Sequence, residues 1–405
     1  MIQSIAWRNI WRSPLRSGII IAAISVGMAA GMFSATFTKG WMNQRLEAGI
    51  ETEASHIRIQ APLFDENYDL KEYIPDTESL ITSLSSIDHV NGVSPHLVIQ
   101  SMIASAETGT GVKIVGIDAT AEKSVTNLYS KLGEGKYLEG IKRNPIVIGR
   151  NLAKKLKVKL RSKVVITVQD ADGNITGGAF RVSGIFDITN GMYEEGNVFV
   201  RKEDLARLVN MKSSTTHEIL VHLDDTELID EMAIQLKSQY PELKVQSWKE
   251  SMPELGYINE IGNLYTYIFV IIILLALGFG IVNTMMMVIL ERIKEIGMLM
   301  AVGMSKLRVF SMLMLETVML TLTGGVLGIL IGLWATYLTM ENGIDLSMYS
   351  EGLENFGYSP MVYPVLEMES IIVIILLVIA TGIIASIYPA RKALKYNPAD
   401  AIRTD

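Results

Sequence analysis

Residues 281–332 read IVNTMMMVILERIKEIGMLMAVGMSKLRVFSMLMLETVMLTLTGGVLGILIG, and the fold turns on this stretch. An apolar run ends at Glu291-Arg292, a charged segment follows, and a second apolar run starts after Arg308. Two long apolar runs with a short charged link describe two membrane helices joined on one side of a bilayer. The link itself has helical periodicity. Ile293, Ile296, Met300 and Ala301 fall on one side, while Arg292, Lys294 and Glu295 fall elsewhere. Such a helix at the mouth of a bundle can be pushed as a rigid handle, with apolar knobs ringed by charge.

Working outward, charge-free runs recur. Residues 17–38, 261–290 and 370–390 contain no charged side chain, and 309–340 contain only Glu316. A helix needs about 20 apolar residues to cross the hydrocarbon core, so all four runs qualify. The flanks orient them. Arg8, Arg12 and Arg16 precede the first run. Arg292, Lys294, Lys306 and Arg308 lie between the second and third, and Arg391, Lys392, Lys395 and Arg403 follow the fourth. Between the third and fourth stand Glu341, Asp345, Glu351, Glu354, Glu367 and Glu369, with no Lys or Arg. The excess of basic residues places both termini and the 291–308 link in the cytoplasm, and 39–260 and 341–369 outside. The first run is too long for a cleaved signal peptide, and the later spans need a cytoplasmic start.

Composition agrees. The 405 residues are 49% hydrophobic, with a mean hydropathy of +0.30. Disorder and collagen-like repeats are excluded. A formal charge of −7 argues against nucleic-acid binding, and the lack of cysteine removes disulfides and thiolate chemistry. The expected fold is an α-helical membrane protein with four transmembrane helices and a large α+β extracytoplasmic domain between the first and second. Residues 1–16 form an interfacial helix with Ile2, Ile5, Ile10 and Trp11 on its apolar side, ended near Pro14. The spans are 17–38, 261–290, 309–340 and 370–390. The outer domain covers 39–260, the coupling helix 291–308, the outer loop 341–369 and the tail 391–405.

Within the outer domain, strand, helix, strand, strand near 56–117 is answered by strand, helix, strand at 218–248. This predicts one subdomain built from 45–119 and 216–250, interrupted by a β-rich insertion at 120–215. No catalytic residue and no metal site is predicted. His217 and His222 flank a strand and point to opposite faces. Asp170 to Asn174 resembles a calcium loop, but Ile175 stands where glycine is needed, and a hairpin turn is the better reading. Gly133-Glu-Gly-Lys136 is followed by Tyr137, so no phosphate loop exists and ATP is not bound by a Walker motif.

The opening stretch resembles the FtsX-like permease family. Asn283-Thr284, Glu291-Arg292, Glu295-Ile296-Gly297, Ala301-Val302-Gly303 and Gly324-Gly325 with Gly328 carry the likeness. So do Tyr388-Pro-Ala-Arg-Lys-Ala393, Pro398 to Arg403, and Arg8-Asn9 to Arg12-Ser13 with Arg16. The resemblance implies a type VII, or mechanotransmission, ABC transporter. Two permease chains, as a homodimer or heterodimer, pair with an ABC ATPase dimer that binds ATP and Mg. This chain is then a non-catalytic subunit of the bacterial inner membrane that binds no cofactor.

The outer domain looks most like lipoprotein-releasing permeases of the LolC/LolE type. Residues 132–156 and Phe180-Arg-Val-Ser-Gly184-Ile-Phe186 carry that likeness. Lipoprotein cargo, membrane lipids and a periplasmic carrier are the partners this implies. In the carrier-recruiting subunit a longer hook precedes the Phe-x-Val-x-Gly strand; here 170–178 is short and Gly-rich. MacB-like efflux and FtsX-like envelope signalling are the alternatives within the same architecture.

The resemblance assigns ATPase coupling to Glu291, Arg292, Glu295, Ile296, Gly297, Met300, Ala301 and Gly303. It also implies a cargo or lipid pocket on the outer halves of the first two spans, at Met32, Phe33, Phe37, Trp41, Tyr267 and Ile271, although interfacial aromatics read equally well as ordinary membrane anchors. Gly27 and Gly31, with Gly324, Gly328 and Gly332, recur every four residues and permit close helix packing, within the chain or between chains. Glu316, the sole charge inside a span, either bonds the basic residues of the link or couples protons.

Overall fold

The computed structural model describes residues 7–394 other than 9 and 13, with the side chains of all these except 16, 258–260, 263 and 351. Of the expected interfacial helix, residues 7, 8 and 10–12 are helical; Ile2, Ile5, Asn9 and Ser13 lie outside the described residues, as do Lys395, Pro398 and Arg403 of the tail.

Four helices are long and apolar enough to cross a membrane: Ser17–Ala54, Leu264–Glu291, Lys306–Asn342 and Met368–Ala393. The full helices, Pro14–Gly49, Pro253–Glu291, Lys306–Asn342 and Met368–Ala393, each outrun their charge-free runs. The first starts at Pro14, runs to Gly49 and ends in a five-residue π-helical turn, Ile50–Ala54. Met42, Gln44, Arg45, Leu46, Glu47 and Ala48 are good helix formers, so loss of hydrophobicity after 38 does not stop the helix. The second begins at Pro253, where a missing N–H costs nothing. The third ends at Gly343, whose φ of 68° lies in the left-handed region.

The chain divides into two compact units. The first contains residues 1–42, 260–345 and 361–405, and the second 43–259 and 346–360. In the membrane unit the first span packs on the third through the glycine stripe. A Cβ on Gly324 would lie 2.7 Å from Ile24 Cβ, and one on Gly328 2.5 Å from Met28 Cβ. One on Gly332 would lie 2.9 Å from Met32 Sδ. Ile24, Met28 and Met32 thus form an i, i+4, i+8 ridge seated in a backbone groove, and all three are buried. Ser25 Oγ donates to the Gly324 carbonyl at 2.9 Å, and Thr36 and Thr336 hydroxyls meet at 3.2 Å. The stripe on the third span is therefore filled from within the same chain. Gly27 lies in ordinary contact with Leu277 of the second span, and nothing stands within 4 Å of where a Gly31 Cβ would be.

The second unit is built on one ten-stranded sheet. Its strands are β1 Ile57–Gln60, β2 Val90–Ala104, β3 Gly109–Ile117, β4 Leu132–Gly135, β5 Pro145–Gly149, β6 Lys163–Gln169, β7 Ile175–Phe186, β8 Asn197–Arg201, β9 Glu218–Leu223 and β10 Lys244–Ser247. The order is β10-β1-β9-β2-β3-β8-β5-β7-β4, with β6 bridging β2 and β7. The division of this sheet differs from the expected cut at residues 119 and 120. β2 is 15 residues long and pairs with β9 through His96, then with β3 from Leu97 and with β6 from Met102. One strand serves both halves, so the boundary falls inside β2, and β3 belongs with the inserted strands. The packing shows the same change. Val93 joins Ile57, Leu84, Val221 and Leu236 in one core, whereas Leu97, Ile99 and Ile103 join Ile146, Val164 and Val182 in another. Val98, on the alternate face, packs with Phe64, Phe186 and Phe199.

The Asp170–Asn174 segment is the β6–β7 hairpin turn. Asp170 Oδ1 accepts from the backbone N–H of Asp172 and Asn174 at 3.0 and 2.8 Å, and Gly173 has a φ of 88°. Between the third and fourth spans, Ile344–Asp345 pairs with Met361–Val362, a small hairpin within the expected outer loop.

Candidate functional site

The link between the second and third spans holds a helix shorter than the expected 291–308, and its outer surface is not the one expected. The second helix ends at Glu291, Arg292 breaks the helical path, and Ile293–Ala301 forms the short helix. Its end is set by Gly303, at φ 101°: the N–H of Met304 bonds the Leu299 carbonyl at 3.0 Å, and that of Gly303 bonds Met300 at 3.1 Å. Only glycine adopts this left-handed closing residue without strain, which accounts for the Ala-Val-Gly run.

Ile296 and Gly297 face inward. Ile296 joins Ile289, Val309, Leu313, Ala390 and Ala393 in a buried cluster, with Met300 packed against it. These residues anchor the helix to its own bundle and do not form a knob for a partner. Ala301, Gly303 and Glu291 are exposed. The apolar groups that do reach out are Met298, Val302 and Leu307, at 59%, 85% and 73% exposure. Sequence reasoning passed over them, although Met298 and Val302 stand at i, i+4 with Lys294 one turn earlier, which is a legible stripe.

Charges tie this helix down. Arg292 Nε bonds Glu295 Oε2 at 3.1 Å, and Arg292 Nη1 lies 3.4 Å from Glu316 Oε2. Glu295 Oε1 lies 2.9 Å from Arg12 Nη2. Glu316 is buried, so a carboxylate in the third span finds a guanidinium from the link.

The expected cargo residues separate. Met32 is fully buried against the third span and lines no open surface. Phe33, Phe37 and Trp41 are half-buried, the last two with ring centroids 5.8 Å apart. Tyr267 and Ile271 are exposed on the second span, at 52% and 51%. The two helices lie side by side: Gly27 meets Ile273 and Leu277, and Gly262 meets Met42. This puts Phe33 and Phe37 along the same stretch of the pair as Tyr267 and Ile271.

The second unit holds a buried polar cluster at the point where β2 changes partners. His96 Nε2 lies 2.6 Å from Glu122 Oε2, and its Nδ1 lies 3.4 Å from Glu218 Oε1. Ser94 and Thr126 donate to Glu122, and Lys113 and Arg58 stand 3.8 and 4.0 Å from Glu218. Burial opposes the imidazolium, but the charges and hydrogen bonds of Glu122 and Glu218 outweigh it and hold His96 up at about 9. Burial opposes ionisation of both carboxyls, but His96 holds Glu122 below the usual range, and Lys113, with His96 and Arg58, holds Glu218 below it. His217 stacks on Phe64 with ring centroids 4.4 Å apart, and His222 lies tilted against His56 at 4.3 Å. Among the described residues, no group of three or more His, Asp or Glu side chains is arranged to hold a metal ion.

Two family profiles match this chain. The FtsX-like permease C-terminal domain covers residues 267–398, and the MacB-like periplasmic core domain covers 17–239, more than half of the length. The chain belongs to the MacB-like periplasmic core domain family, joined to an FtsX-like permease domain. This permease is similar to LolC, a lipoprotein-releasing system transmembrane protein of Neisseria meningitidis serogroup B. They share 23% identity over 404 residues, 95% of this chain and 93% of the relative. The LolE counterpart from Haemophilus influenzae is 23% identical over 342 residues, 80% of each chain. Among solved structures, the periplasmic region of MacB from Actinobacillus actinomycetemcomitans matches 50% of this chain and 93% of its own. That match has 15% identity and a TM-score of 0.35. The permease is thus a membrane protein of the ABC transporter type represented by LolC, LolE and MacB.

Proposed function

We propose that this chain is the non-catalytic permease subunit of an ABC transporter, coupling ATP hydrolysis by a separate ATPase chain to motion of its outer domain. The work it performs is extraction of lipoprotein or other lipidated cargo from the inner membrane. Both termini and the 291–308 link lie in the cytoplasm, as the basic flanks argue. The observation that carries the reading is the short Ile293–Ala301 helix, held inward by Ile296 and Gly297 and presenting exposed Met298 and Val302. An anchored helix with an apolar outer stripe suits a groove on an ATPase. The relatives named for lipoprotein release support the cargo class. A second permease chain completes the machine.

The test is co-purification with the ATPase and ATP hydrolysis of the assembled pair. Met298→Glu with Val302→Glu should remove both while the chain still inserts. Unchanged co-purification and hydrolysis would dismiss this helix as the coupling element. Efflux from the periplasm is the second reading, favoured by the MacB-like core domain. A photo-crosslinker at Phe37 separates the two: lipoprotein captured without ATP and released with it supports extraction, and capture of a small toxin supports efflux.

A further inference from the structure

The handle is covalently joined to the second and third spans, through Arg292 and through 302–305, but not to the first. The charge network closes that gap. Glu295 divides its carboxylate: Oε2 takes Arg292 Nε at 3.1 Å and Oε1 takes Arg12 Nη2 at 2.9 Å. Arg292 also reaches Glu316 in the third span at 3.4 Å. Arg12 belongs to the N-terminal helical segment, which is fixed to the bundle by Ile10. That side chain is buried with Ile20 and Met285, and its carbonyl accepts from Ser17 Oγ at 2.6 Å. Under the network lies a cavity of about 260 Å³, lined by Ile10, Ile20, Met285 and Leu320 on its apolar side. The handle and N-terminal segment thus touch through charge, over space that leaves them room to shift. From Pro14 the segment leads into the first span, which stays helical to Ala54.

We propose that the Arg12–Glu295–Arg292–Glu316 chain makes the N-terminal segment part of the handle, so that displacement of the coupling helix is delivered to the first span as well as to the second and third. This rests on the ATPase-coupled reading above. Arg12 and Arg292 are positioning residues: they touch neither nucleotide nor cargo. A lone exposed ion pair holds weakly, but here Glu295 is shared by two guanidinium groups, one of them tied to a buried carboxylate. Linked charges of this kind move together.

The chain has no cysteine, so paired spin labels report single sites. The full permease, assembled with its ATPase in lipid nanodiscs, would carry labels at Arg8→Cys and Trp334→Cys, or at Lys294→Cys and Trp334→Cys. All three positions are exposed, and Trp334 lies near the far end of the third span. ATP trapping should shift both distances, and an Arg8→Cys with Lys294→Cys pair should hold its separation. Arg12→Gln should remove at least half of the Arg8 shift and leave the Lys294 shift intact, while Arg12→Lys retains both. An Arg8 distance indifferent to ATP, or one that shifts equally in Arg12→Gln, would overturn the proposal. A Lys294 distance that ATP never changes would overturn the coupled reading itself, and this inference with it.

Discussion

At the scale of single residues, His96 shows how position changes the meaning of a side chain. In the sequence it is one of five scattered histidines. In the fold it is buried between Glu122 and Glu218, with Lys113 and Arg58 beyond Glu218 and with Ser94 and Thr126 on Glu122. Its value of about 9 exceeds the ordinary 6.5, so the folded state holds the proton more tightly than the unfolded chain. That contribution is complete below about pH 6.5 and is lost as pH rises through about 9. Protection of the β2 and β9 amides in the full chain, taken relative to their base-catalysed intrinsic exchange rates, should therefore fall between pH 7 and 10. His96→Gln should flatten that dependence and cost about 3–5 kcal/mol, because two buried carboxylates lose their shared cation. An unchanged pH profile in the variant would assign the effect elsewhere. Nothing in the spacing of residues 96, 122 and 218 could announce this cluster, since three separate elements bring it together.

At the scale of elements, the spans were readable because charge is so costly in hydrocarbon that its absence marks them. Their ends were not, because a helix persists past the membrane wherever its residues favour helix. The glycine stripe was legible as a place of close approach, and its occupant was not. The contacts make a contrast. Gly328→Ala puts a methyl against Met28 and the Ser25 carbonyl, whereas nothing lies within 4 Å of a Cβ on Gly325. Overpacking costs about 1–3 kcal/mol. Gly328→Ala should lower the thermal midpoint of the detergent-solubilised chain, and Gly325→Ala should leave it within error. The coupling helix offers a second contrast. Gly297 is buried within the chain, so bulk there should loosen the Ile296 cluster and reduce folded yield. Charge at Met298 should instead spare folding and act on the partner, as binding assays with the ATPase would resolve.

At the scale of the whole molecule, the permease should hydrolyse no ATP alone, since the chain carries no phosphate-binding loop. Activity should appear with the ATPase and vanish when that partner's nucleotide site is disabled. Hydrolysis by the purified chain that survives repeated purification would defeat this. For cargo, each acyl CH₂ moved from water contributes about 0.8 kcal/mol. On the proposed extraction reading, binding along the first two spans therefore has to weaken sharply on closure for release. Phe37→Ala should reduce lipoprotein capture more than Met32→Ala, whose side chain is buried against the third span. Crosslink yield in proteoliposomes measures the difference.

The four membrane-length helices, the amphipathic link and the alternation of strands were legible in the sequence alone, because each depends on local periodicity and on the exclusion of charge from apolar surroundings. Which face of the link turns outward, which helix fills the Gly324–Gly328–Gly332 groove, where β2 passes from one core to the other, and the union of Arg12 with Glu295 were decided only by tertiary structure. Those outcomes depend on contacts between residues tens to hundreds of positions apart, and a linear pattern does not encode distance across the fold.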